Sequence, residues 1–109
     1  MGVDHTAFAC FGRPIKDLGT AKHADAARVV IGNKCDIAEY GALSYGCDGG
    51  YIVAYRDAYA CVDFDDGYAR LDKSSATPEV MTGVVNEAIA KLGAEADGEP
   101  GWYVGGQTW

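Results

Sequence analysis

Long apolar runs, paired cysteines and clustered positive charge are all missing from this chain of 109 residues, and each absence removes a class of function. No stretch approaches the roughly 20 consecutive apolar residues of a membrane-spanning helix. The N-terminus has no basic patch leading into a hydrophobic segment of the secretory kind. The expected compartment is therefore the cytoplasm, with no membrane partner. Cys10, Cys35, Cys47 and Cys61 form no C-x-x-C pair, which sets aside the usual zinc and dithiol motifs. In such a compartment they are expected to be reduced, with Cys10 and Cys61 serving as small apolar residues within strands. His5 and His23 are equally scattered, so neither a metal nor another cofactor is expected.

Positive charge is scarce and unevenly placed. Lys and Arg number 9 against 16 Asp and Glu, a net charge of -7. Residues 1–56 hold six acids and six bases, whereas residues 57–99 hold ten acids against Arg70, Lys73 and Lys91. Nucleic acid is a polyanion recognised through Lys and Arg clusters, so direct binding to DNA or RNA is not expected of the second half, and a basic protein is the better electrostatic match.

What the sequence does contain is a single α+β domain over residues 1–109. Tyr51 to Leu71 carry strand patterning, with Asp66-Gly67 as a type I′ hairpin signal, because both central positions of that turn need positive φ. That turn would pair Asp63 with Arg70 and Val62 with Leu71. It would also gather Val62, Phe64, Ala69 and Leu71 on a core face. Tyr51–Tyr55 read as a further strand; a three-residue loop at Arg56-Asp57-Ala58 would align Tyr51, Val53 and Tyr55 with Tyr59 on one side, whereas a two-residue loop at Arg56-Asp57 would swap the faces of that strand. Residues 3–11 form an opening strand with two mixed faces, suited to a central position covered twice, and Gly12 and Pro14 end it.

Two helices are expected. Thr77 as N-cap, Pro78 at the first turn and Gly93 as the stop define the main one over about 78–92, with Met81, Val84, Val85, Ala88 and Leu92 as its buried stripe. Gly83 within it suggests a close approach to a strand. Thr20 caps a shorter helix near 21–31 with Ala24, Ala27 and Ile31 inward. Asp36-x-x-Glu39 has capping-box spacing and suggests a single turn ending at Gly41, followed by a Gly-rich loop to Gly50. Trp102-Tyr103-Val104 is a short closing strand. The expected fold is thus an antiparallel sheet of four to five strands on one main helix.

No motif carries chemistry. Met1-Gly2 with Thr6 fits the N-myristoylation pattern, yet one acyl chain needs a basic patch that this acidic chain does not offer. Asp63-x-Asp65-Asp66-Gly67 begins like a calcium loop, but Tyr68 and Ser74 stand where an EF-hand requires glycine and a bidentate Glu. Cys47 with His5 or His23 is the one nucleophile arrangement worth testing, and it is the basis of a rival reading as a small enzyme or ligand-binding domain centred on residues 41–50. The favoured expectation is a non-enzymatic binding protein, monomer or homodimer, that covers a basic nucleic-acid-binding surface of another protein; a second alternative is a homo-oligomeric structural subunit that uses the aromatics of residues 102–109. Small phage-encoded inhibitors of the anti-CRISPR or DNA-mimic kind share this charge and size. The expected contact residues are Tyr55, Asp57, Tyr59, Asp63, Asp65, Asp66 and Tyr68, tyrosine contributing area and the acids selecting a cationic target.

Overall fold

A computed structural model describes residues 5–42, 49–63, 67–71 and 74–108. The elements run β1 (His5–Ile15), α1 (Ala24–Ile31), β2 (Cys35–Ala42), β3 (Gly50–Asp63), α2 (Pro78–Leu92) and β4 (Gly101–Thr108). In space the strands lie in the order β1-β3-β2-β4 and close into a barrel. β1 is antiparallel to both β3 and β4, and β2 is antiparallel to β3. Closure is a brief parallel contact in which Gly41 faces Gln107 and Ala42 faces Thr108. Each helix connects two strands that flank a third, the split βαβ arrangement. The class is α+β, as expected, with one main helix and one shorter.

α2 is written into the sequence at both ends. Thr77 accepts a hydrogen bond from the Val80 amide, Pro78 occupies the first turn, and Gly93 takes the left-handed conformation that a side chain resists. Met81, Val85, Ala88, Ile89 and Leu92 are buried, and burying the larger four contributes on the order of 6 to 12 kcal/mol before conformational entropy. Gly83 is exposed with open space beside it, so the expected close approach to a strand is absent.

α1 begins later than the sequence suggests. His23, not Thr20, is its N-cap, with Nδ1 accepting from the Ala26 amide at 3.2 Å. Thr20 is engaged elsewhere, giving both its amide and its hydroxyl to the Leu92 carbonyl and so closing the C-terminal end of α2. Ala24, Ala27 and Ile31 face inward as their spacing predicts.

Three strand expectations are corrected. Asp36–Glu39 belong to β2, not to a helical turn, because neighbouring Ile37 and Ala38 are both buried, on opposite faces of the sheet. Arg56-Asp57-Ala58 are not a loop. β3 runs unbroken, and its register against β1 shifts there, Cys10 pairing with Tyr59 and Gly12 with Ala54. This irregularity reverses the alternation, so Tyr55 packs on the helix side while Tyr59 packs inside the barrel. The hairpin also does not form as a strand pair, since Tyr68–Leu71 are not in a strand and Val62 and Asp63 pair with Ala7 and Thr6 instead. Gly67 nevertheless has φ of 77°, and Ala69 and Leu71 still lie with Ala60 and Val62 along one shallow groove. Asp65 and Asp66 lie outside the described residues.

β1 is central, between β3 and β4, as its two mixed faces predict. It continues past Gly12 to Ile15 because β4 ends opposite Gly12. Beyond that point the edge left by β4 is met by the segment after α2, with Ile15 bridging Ala96 and the Pro14 carbonyl accepting from the Asp97 amide. The core accordingly has two main layers. Ile15, Ile37, Val53 and Cys35 meet α1 and α2 on one face. Phe8, Cys10, Ala38, Ile52 and Ala54 fill the barrel on the other.

Candidate functional site

Two surfaces qualify as sites: the carboxylates on the exterior and a cleft at the mouth of the barrel. On the exterior, two of the six bases of the first half, Arg28 and Arg56, are engaged by acids of that same half. Arg28 reaches Asp25 at 2.8 Å, Asp36 at 2.9 Å and Glu39 at 3.8 Å, and Arg56 approaches Asp36 at 3.9 Å. Burial alone would lower the pKa of Arg28, but the hydrogen bonds to Asp36 and Asp25 and the charge of Glu39 more than offset it. These arginines also cover the outer edge of β2. Arg28 donates to the Ile37 carbonyl, Arg56 donates to that of Cys35, and the Asp36 carboxylate accepts from the Ile37 amide. An edge closed this way offers no template to another strand.

The acids of the second half are differently situated. Lys16–Glu95 at 3.0 Å is the one ion pair across the two halves among the described residues, and Glu87 pairs with Lys91 one helical turn on. Asp57, Glu79, Asp97 and Glu99 are exposed and enter no ion pair among the described residues. Their placement is extended. Glu79 opens α2 and Glu95, Asp97 and Glu99 follow its far end, about 20 Å away at helical rise. Asp63 accepts from Thr6 near the start of β1. The Glu95 group sits at the other end of that strand, where Lys16 bonds Glu95 and the Asp97 amide bonds the Pro14 carbonyl, roughly 30 Å along the strand.

The anticipated contact residues are only partly brought together. Asp57 and Asp63 are exposed, and Tyr68 is 87% exposed. Tyr55 is half-buried against the helices. Tyr59 is half-buried in the barrel, 6.3 Å from Phe8 in an edge-to-face contact, and burial pushes its hydroxyl pKa up. A shared tyrosine face is therefore corrected: the shifted register of β3 turns Tyr55 and Tyr59 to opposite sides.

Of the nucleophile candidates, Cys47 and the His5 side chain lie outside the described residues, while His23 serves as a helix cap. Burial pushes the Cys10 thiol up to about 12 and the Cys35 thiol up to about 11, away from the thiolate that a nucleophile requires. No group of three or more His, Cys, Asp or Glu is placed to hold a metal among the described residues. No helix among them is long and apolar enough to cross a membrane.

The cleft was not anticipated. β2 and β4 diverge from their short parallel contact, and between them opens a cavity of about 480 Å³ lined by Phe8, Pro14, Tyr40, Ile52, Tyr103 and the backbone of Gly41 and Val104–Gly106. Its walls come from four strands and no segment of the sequence contains more than a part of it. Compared with protein-family models, with curated proteins and with solved structures, the chain matches none.

Proposed function

We propose that this protein is a non-enzymatic acidic binding protein that occupies a basic, nucleic-acid-binding surface of a partner protein, in the manner of small anti-CRISPR or DNA-mimic inhibitors encoded by phage. The observation that carries this reading is the partition of charge in space. Arg28 and Arg56 engage Asp25, Asp36 and Glu39, two cations against three carboxylates, while the exposed acids outside any ion pair among the described residues include Asp57, Glu79, Asp97 and Glu99. Carboxylates spread over the length of a helix and a strand suit an extended cationic surface, such as one that normally tracks a phosphate backbone.

In this reading the exposed Tyr68 contributes contact area beside Asp63, and Tyr55 and Tyr59 support the strand from within. Direct contact with nucleic acid plays no part, because the free charge has the wrong sign. The test is retention on basic nucleic-acid-binding complexes from host lysate at two salt concentrations. Capture at low ionic strength that weakens severalfold at high salt is expected. Failure to retain any such complex at low salt refutes the proposal. Replacing Asp97 and Glu99 together by Lys should weaken capture, while Glu39→Gln, within the neutralised network, should leave it intact.

A further inference from the structure

From the cleft between β2 and β4 we infer a binding site for a neutral, flat aromatic molecule, an inference that does not rest on the proposed protein partner. Three aromatic rings form its walls, and each is held before any ligand arrives. Tyr103 donates its hydroxyl to the Glu99 carbonyl at 2.5 Å. Tyr40 lies directly over the backbone of Gly50, where even a Cβ would collide with the ring. Phe8 is braced by Tyr59 on one side and by Gly105 on another, where a Cβ would fall 2.6 Å from Cζ. Rings already fixed in place lose little conformational entropy when a ligand enters.

The chemistry of the lining selects the occupant. Ile52 and Pro14 complete an apolar surround, and no charged side chain lines the cavity. An ionised ligand would enter without a counter-charge and an anion would also meet the field of a protein of net charge -7. Aromatic walls favour a partner with a π face. A cavity of about 480 Å³ falls within the range of small-molecule sites and has room for a fused bicyclic ring system.

Titration of the full chain with indole and 2-naphthol, followed by NMR and calorimetry, tests the inference, with 2-naphthoate as the charged counterpart. Saturable binding of the neutral probes is expected, shifting the Phe8, Tyr40 and Tyr103 ring resonances, with 2-naphthoate at least about tenfold weaker. Tyr103→Ala should weaken the neutral probes about tenfold, whereas Tyr103→Phe, which keeps the ring and loses only the Glu99 hydrogen bond, should stay within about threefold. Tyr40→Ala provides a second removal of a wall should Tyr103→Ala prove unfolded by circular dichroism. No saturable binding below about 1 mM, equal binding of 2-naphthoate, or shifts confined to residues outside the cleft would each overturn it. So would a concentration-dependent doubling of mass competed by neither probe, since a second copy would then own the cleft.

Discussion

Gly83→Ala should raise the stability of this protein, and the size of the gain can be worked from its surroundings. Gly83 lies within α2, is exposed, and has no atom within 4 Å of the place a Cβ would occupy. Alanine there adds no clash and removes the excess conformational freedom of glycine in the unfolded chain, a gain of about 0.5 to 1 kcal/mol. With an unfolding entropy near 2.1 cal/mol/K per residue, a chain of 109 residues gains roughly 0.23 kcal/mol for each degree, so Tm should rise by about 2 to 4 °C. Thermal circular dichroism reads the shift directly. A urea titration should move its midpoint upward at constant slope. Gly105→Ala supplies the opposite sign, because its Cβ would fall 2.6 and 2.8 Å from atoms of the buried Phe8 ring, and overpacking of that kind costs about 1 to 3 kcal/mol. A Gly83→Ala protein that melts lower than the parent would refute the open helix face, and a stabilised Gly105→Ala would refute the packing of the barrel.

Arg28→Met should destabilise by about 1 to 3 kcal/mol in urea unfolding, since it leaves Asp36 and the Ile37 carbonyl without their guanidinium partner in a half-buried setting; a loss below about 0.5 kcal/mol would mean water replaces those bonds freely. Among Cys10, Cys35 and Cys61, an aromatic disulfide reagent should label the exposed Cys61 first in the native protein and reach Cys10 and Cys35 only on unfolding. Rapid native labelling of Cys10, read by mass spectrometry, would contradict its burial. The same two thiols have folded pKa values raised above the ordinary value near 9, to about 12 and about 11. Their contribution to stability is therefore complete below about pH 9 and is lost as pH rises through that interval, because the unfolded chain releases the protons first. Urea midpoints should fall between pH 8 and pH 11, and the fall should be smaller in Cys10→Ala.

How much of this could be read from the sequence depends on where each signal lies. α2 was legible because its cap, its proline, its apolar stripe and its closing glycine are all local. β1 announced its central position through two mixed faces, and both are covered. β2 was obscured because Asp36 and Glu39 have the spacing of a helix cap, while Ile37 and Ala38, buried on opposite sides, show none of the alternation of a half-exposed strand. β3 was divided in two because Arg56 and Asp57 resemble a turn; they are the exposed residues at the shifted register. The same shift separated Tyr55 from Tyr59, so part of the anticipated contact surface came apart with it. Arg28 and Arg56 find their acids locally, on α1 and β2, whereas the acids of the second half lie at both ends of α2 and of β1, a spread that their order in the chain does not show. The cleft had no signal at all, since Phe8, Tyr40, Ile52 and Tyr103 meet only through the order of the strands.

That order also bears on how the chain folds. β1 precedes both of its partners, β3 and β4, in the chain, with His5 lying opposite Thr108. One of its two hydrogen-bonding edges has no partner until β4 is in place, and the barrel cannot close before then. Before β4 is available, β1 leaves one strand edge and the ring of Phe8, which packs beside Gly105, uncovered, the kind of surface that favours non-native pairing.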